Sequence, residues 1–232
     1  SLDGSDKGNY TLVQQTGLSA DITKASIAVR GLTANDKVYD GVVAASLSGS
    51  ATILKLGSDD LTLGGVATGV FGNKNVGTNK SVTVSGLSLD GSDKGNYTLV
   101  QQTGLTAAIT KKQVVLSAVK TYDGSLDLTG NSVTITTGVG SESLAYSSAR
   151  SNNAHVATTN KYIAAITLED ATDSSGGLAS NYKLPVLNNT NAGVTINSAT
   201  LTPTISNTGY TQVYDASTIA DINPTYTFTG LV

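Results

Sequence analysis

Along the chain, apolar residues alternate with Ser, Thr and Asn in short runs: residues 81–85 read SVTVS, 96–99 NYTL, 133–136 VTIT and 194–196 VTI. A period of two turns every second side chain to one face, so each run predicts a strand with one buried and one wetted side. The residue types agree, because Val, Ile, Thr and Tyr suit a pleated, half-buried surface. Between the runs stand Gly31, Gly41, Gly64-Gly65, Asp90-Gly91, Asp123-Gly124 and Gly176-Gly177, residues that supply positive φ or side-chain-to-backbone turns. Many short strands separated by such turns predict an all-β sandwich. No segment keeps an i, i+3, i+4, i+7 apolar stripe, and 34–45 and 141–149 leave room for a single helical turn each.

The runs recur. Residues 1–18, SLDGSDKGNYTLVQQTGL, return letter for letter at 88–105, an offset of 87. The copy continues with drift, SADITK at 19–24 against TAAITK at 106–111, and a diverged version appears as Asn181-Tyr182-Lys183-Leu184 followed by Gly193-Val194-Thr195-Ile196. A second landmark keeps the same phase as Tyr39-Asp40-Gly41, Tyr122-Asp123-Gly124 and Tyr214-Asp215-Ala216, and a third pairs Gly77-Thr78-Asn79-Lys80 with Thr158-Thr159-Asn160-Lys161. These marks delimit two complete repeats, 25–110 and 111–197, with the C-terminal part of one at 1–24 and the N-terminal part of another at 198–232. Together the two partial repeats fall well short of a whole one, so the chain is read as a window from a longer tandem array. At about 87 residues each repeat is near the lower limit for a self-sufficient core, and contacts between neighbours are expected to add stability.

Composition narrows the class. Charged residues make up 13% of the chain, against about 25% in average soluble domains; Ser and Thr fill 59 positions instead and cover the wet strand faces without charge. The net charge of −3 and the unclustered 14 Lys and Arg leave no electrostatic footprint for nucleic acid or an anionic membrane. No run approaches the roughly 20 apolar residues that span a bilayer, and the first residues carry no signal or transit pattern. Neither nucleic acid nor membrane insertion is expected. The absence of Cys, Met and Trp removes disulfides, thiol chemistry and cysteine-held zinc. It also leaves no easily oxidised sulfur or indole, which suits an extracellular surface.

The order Tyr39-Asp40-Gly41, Lys74-Asn75-Val76-Gly77-Thr78-Asn79-Lys80-Ser81-Val82-Thr83-Val84-Ser85-Gly86-Leu87, Asn96-Tyr97-Thr98-Leu99 and Ala108-Ile109-Thr110 resembles the YDG (MBG-type) repeats of large bacterial surface adhesins. Those repeats are similar to the stalk modules of filamentous-haemagglutinin-like, two-partner-secreted proteins. The likeness runs through both complete repeats and both partial ones. It is looser at 111–197, where Thr158 replaces Gly77 and four extra residues lie near 173–176, and Ala216 replaces the motif glycine in the last copy. The resemblance implies an extracellular, secreted or surface-attached adhesin. Its tandem β-sandwich modules, Ig-like or β-grasp-like, would stand end to end as a rod that acts as a spacer in adhesion.

Candidate chemistry is sparse. Tyr39-Asp40-Gly41 and Tyr122-Asp123-Gly124 could stack on a sugar and bind its hydroxyls. Because the triplet returns in every repeat, the structural role is favoured: Tyr fills the core edge with its hydroxyl paired, Asp caps a turn and Gly takes positive φ. Tyr97 and Tyr182, each after an Asn, are read as inward-pointing in the same way. Asp3, Asp6 and Asn9, copied at Asp90, Asp93 and Asn96, present oxygens that raise calcium binding. Their spacing lacks the i, i+2, i+4 order and bidentate Glu of an EF-hand, so they are read as solvated turns and no metal or cofactor is expected. Asp59-Asp60 is read as a loop tip. His155, the one histidine, falls opposite Lys74 in the repeat alignment and is read as an exposed loop residue. With no G-x-S-x-G, H-E-x-x-H, P-loop or paired-carboxylate framework, no enzyme is expected. The expected partners are neighbouring repeats of the same chain. Rival readings are a self-assembling filament and direct binding of glycan or a host or bacterial surface, the latter poorly served by two Phe and no Trp.

Overall fold

The computed structural model describes residues 1–206, 208–209, 211–219 and 223–232; the remaining five positions, in the 198–232 partial repeat, lie outside the described residues. The protein is all-β. Among the described residues, helical structure is limited to the three-residue 3-10 turns Lys7–Asn9, Lys94–Asn96 and Ala179–Asn181. The two windows with room for a helical turn hold none: 34–45 carries the strands Lys37–Val38 and Ala44–Ala45, and 141–149 runs into the strand Ala145–Ser151. The helical turns instead precede each Asn-Tyr pair, where the Asn amide donates three residues back, as from Asn96 to the Asp93 carbonyl at 3.0 Å and from Asn181 to that of Leu178 at 2.9 Å.

The chain divides into two compact units, one made of Ser1–Ala34, Ala45–Val70 and Val82–Leu105, the other of Asn35–Ala44, Phe71–Ser81 and Thr106–Val232. One sheet has five strands in the order Lys37–Val38, Leu105–Thr110, Gly77–Asp90, Thr62–Phe71, Ala44–Ala45.

In the first unit, Ala25–Ala28 lies parallel to Tyr97–Val100, with Ala25 opposite Tyr97, and Arg30–Ala34 lies antiparallel to Leu47–Thr52. The alternating apolar positions meet in two clusters, Ile27 with Leu61 and Tyr97, and Val29 with Leu32 and Val84. Gly65 and Gly86 mark a close backbone approach: a Cβ on Gly65 would stand 2.2 Å from the Gly86 carbonyl oxygen, and one on Gly86 would stand 2.3 Å from that of Val66. The amide of Gln102 takes the Leu32 N–H and donates to the Leu32 carbonyl, both at 2.8 Å, standing in for a strand partner.

In the second unit, Val115–Thr121 sits between Val133–Thr136, which is antiparallel to it, and Ala192–Asn197, which is parallel. Lys112–Gln113 lies parallel to Tyr182–Lys183, and Lys37–Val38 parallel to Ile109 and Thr110. Ala145–Ser151 pairs antiparallel with Ile163–Glu169. Val115–Thr121 shows the period of two directly, burying Leu116, Ala118 and Lys120 while exposing the residues between.

The two complete sequence repeats share this plan. Each opens with a strand parallel to its Asn-Tyr strand, Ala25 beside Tyr97 and Lys112 beside Tyr182. Each closes with a strand parallel to its Tyr-Asp-Gly strand, Lys37 beside Ile109 and Lys120 beside Ile196. Parallel pairs need long crossovers, so these contacts join the beginning of a repeat to its end.

Candidate functional site

Tyr-Asp-Gly, twice, and Tyr-Asp-Ala, once, build one turn three times. The Asp40 carboxylate accepts the Val42 amide at 3.1 Å, Asp123 that of Ser125 at 2.9 Å and Asp215 that of Ser217 at 2.9 Å. The residue between takes positive φ, 81° at Gly41, 73° at Gly124 and 67° at Ala216. This is the side-chain-to-backbone turn that Asp favours. Three residues before each Asp, a donor braces it: Lys37 Nζ reaches Asp40 at 2.7 Å, Lys120 reaches Asp123 at 2.6 Å, and Gln212 reaches Asp215 at 2.8 Å. Both lysines also cap carbonyls five and seven residues on, Val42 and Ala44 for Lys37, Ser125 and Asp127 for Lys120. Burial works against the Asp40 charge, but Lys37 and the Val42 amide outweigh it and lower its pKa; Lys120 does the same for Asp123.

The turn aims Tyr39 at a carboxylate. Tyr39 is 1% exposed, its amide bonded to the Thr110 carbonyl at 2.8 Å. Its hydroxyl donates to Glu142 Oε1 at 2.8 Å, and the ring of Tyr182 meets it edge-on with centroids 5.5 Å apart. Tyr182, also 1% exposed, donates to Glu142 Oε2 at 2.7 Å, and Lys74 Nζ reaches Oε1 at 2.6 Å. One carboxylate therefore takes three donors, two of them from repeat 25–110 and one from repeat 111–197. Its neighbours extend the contact: the Asn181 amide accepts the Val76 N–H at 3.0 Å and donates to Asn75 at 3.1 Å, and Gly41 lies over Val139.

The electrostatics match the geometry. Burial disfavours the Glu142 charge, yet Lys74 and the two phenols more than compensate and lower its pKa. Burial and the facing carboxylate raise both phenols, and Glu142 raises Lys74. A charge this enclosed is tolerable only because it is paired and hydrogen-bonded throughout. What the cluster does physically is fix one segment against another.

The other singled-out residues lie apart from it. Tyr97 is buried in the first unit and donates to Asp59 at 2.5 Å, which raises the Tyr97 pKa; Asp59 is thus a hydrogen-bond acceptor rather than a bare loop tip. Tyr122 is half-buried and stacks on His155 at 6.3 Å, as Tyr39 lies under Lys74 Nζ at 6.0 Å. Asp3 accepts the Gly4 amide, Asp90 pairs loosely with Lys94, Asp93 accepts the Asp60 amide at 2.8 Å, and Asp6, Asn9 and Asn96 are exposed. Among the described residues no three acidic or His side chains gather as metal ligands.

Spacing rules overlook Glu142 and Asp59. The signal that identifies them is positional: Gly57-Ser58-Asp59 and Gly140-Ser141-Glu142 are separated by 83 residues, the same offset as Tyr39 and Tyr122.

Residues 23–104 match the YDG domain family, and a YDG domain lies there. It contains Tyr39, Lys74 and Tyr97, while Glu142 and Tyr182 follow it. No curated protein matches the chain, and no solved structure does.

Proposed function

We propose that this chain is a run of structural stalk repeats from a large bacterial cell-surface or secreted adhesin, working outside the cell as a spacer. In this reading each tandem β-sandwich module adds a fixed length and holds an adhesive region away from the surface. The work is mechanical and needs no cofactor or catalytic group. The observation that carries it is the Glu142 carboxylate, which takes Tyr39 and Lys74 from one repeat and Tyr182 from the next. A spacer needs neighbouring modules locked by short, buried, directional contacts, and a shared charge with three donors meets that need. The low charge and Ser/Thr-rich strand faces fit a long solvated surface, and the YDG domain at 23–104 fits the resemblance to adhesin repeats.

Small-angle scattering on chains carrying two, three and four copies of residues 25–110 tests the spacer role. A constant increase in maximum dimension per copy is expected; a dimension that stops growing, or grows only as a flexible chain would, refutes it. Surface labelling of the producing cell with antibody to this chain tests the location.

A further inference from the structure

The first unit contains the same receiving surface as Glu142, and it is open. Asp59 corresponds to Glu142, Tyr97 to Tyr182, Asn96 to Asn181 and Leu56 to Val139. The acid-tyrosine bond is present in both, Tyr97 to Asp59 and Tyr182 to Glu142. The surroundings differ. Val139, under Gly41, is 5% exposed whereas Leu56 is 60% exposed; Asn181 is buried between Asn75 and Val76 whereas Asn96 is exposed. A cavity of about 400 Å³ lies there, lined by Ile22, Ala25, Leu56, Asp59, Asn96 and Tyr97. Ile22 repeats Ile109, yet Ile109 is 1% exposed beside the Tyr39 strand and Ile22 is fully exposed.

We infer that the Asp59-Tyr97 cavity is a docking site for the Lys-x-Tyr-Asp-Gly loop of a further repeat of this kind. This rests on the stalk reading above and names the partner of the receiving surface. The occupant is dictated by the filled site. A tyrosine hydroxyl completes Asp59 as Tyr39 completes Glu142, the turn glycine covers Leu56 as Gly41 covers Val139, and the incoming strand runs parallel to Ile22-Thr23 as Lys37–Val38 runs beside Ile109 and Thr110. With Tyr97 already donating to Asp59, a lysine equivalent to Lys74 supplies the third donor to the acid. Each repeat would then carry a plug, its Tyr-Asp-Gly turn, and a socket, its acid-tyrosine pair. Joining of that kind is head-to-tail, and it sets no limit on the number of units.

Duplicating residues 25–87 directly ahead of Ser1 in the full chain tests this, because 1–18 and 88–105 are identical and the junction restores a whole repeat. Amide hydrogen exchange is measured across 56–61 in the original and extended chains. Docking predicts exchange slower by about tenfold or more in the extended chain. The protection should be lost when Tyr39→Ala is placed in the duplicated copy, or when Leu56→Asp, a change at an exposed position, is placed in the receiving repeat. An added repeat that stays unprotected, or a folded one that leaves 56–61 exchanging as before, overturns the inference. An extended particle without protection at 56–61 overturns the docking site and leaves the spacer reading standing; protection without added length does the reverse.

Discussion

Tyr39 and Glu142 stand 103 positions apart and are joined by a hydrogen bond of 2.8 Å from phenol to carboxylate, linking two copies of one repeat. Removing the hydroxyl in Tyr39→Phe keeps the ring and leaves Glu142 two donors, so it is expected to cost about 1.5–3 kcal/mol, the range for a bond to a charged group. Tyr39→Ala removes the ring as well and is expected to cost about 3–5 kcal/mol. Tyr122→Phe, at a half-buried ring, should stay within about 0.5 kcal/mol. Chemical denaturation of the three variants checks the order; equal losses at Tyr39 and Tyr122 would contradict the distinct role of Tyr39.

Stability should depend on pH through the same cluster. The Glu142 pKa is lowered from its usual 4.5 in the folded chain, so its contribution is present above that value and is lost as pH falls through the lower, folded one. The Tyr39 and Tyr182 phenols are raised from 10.0, so their contribution is present below pH 10 and is lost in alkali as pH rises toward the raised values. Glu142→Gln should lie below the parent in stability at neutral pH and approach it as both are acidified from pH 4.5 down through the lowered, folded value. Melting temperatures recorded from pH 2 to 8 decide this; a gap that widened on acidification would mean the charge is not what Tyr39 and Lys74 hold.

Legibility in the sequence follows what each signal can encode. Alternation in Val133-Thr134-Ile135-Thr136 marks a strand that spans those four residues, because a strand has no other way to bury one face. The Asp-Gly pairs at 40–41 and 123–124 mark turns for equally local reasons. Alternation says nothing about direction or partner, so the parallel contacts of Ala25 with Tyr97 and Lys112 with Tyr182 were beyond it. The same limit hid Glu142, whose three donors come from positions 39, 74 and 182. Tyr39 shows the boundary well: recurrence of the motif marks the turn, while burial, complete at Tyr39, partial at Tyr122 and absent at Tyr214, and the identity of the acceptor depend on what each copy meets.

The two Tyr-Asp-Gly turns and the Tyr-Asp-Ala turn separate conformational strain from crowding. Gly41 and Gly124 have nearly the same φ, but a Cβ on Gly41 would stand 2.7 Å from Val139 Cγ1, whereas one on Gly124 would meet nothing closer than 3.7 Å. Gly124→Ala should therefore cost only the left-handed penalty, about 1–2 kcal/mol, and Gly41→Ala should cost more. Ala216 already occupies this conformation at φ 67°, so Ala216→Gly should be neutral or stabilising. Thermal unfolding of the alanine pair checks the ranking, and equal shifts would mean the Gly41 contact with Val139 relaxes freely.

Lys120 carries the last expectation. Its side chain is only 5% exposed, and its ammonium meets the Ser125 and Asp127 carbonyls at 3.0 and 2.9 Å as well as Asp123, which is half in solvent. A pair with one partner in water contributes little on its own, whereas an enclosed ammonium and the part-buried carbonyls it bonds lose about 1–3 kcal/mol when those bonds are removed. Lys120→Met keeps the stem and removes the ammonium, so it should destabilise by about 2–3 kcal/mol. Asp123→Asn keeps an oxygen for the Ser125 amide and should cost under about 1 kcal/mol. Because the Lys120 side chain is enclosed and its carbonyl partners carry no net charge to screen, the Lys120→Met loss should persist in 1 M salt while the Asp123→Asn loss shrinks. Denaturant midpoints for both variants at low and high salt measure this, and a Lys120→Met loss that disappeared in salt would make the ion pair, and not the carbonyl clamp, the stabilising contact.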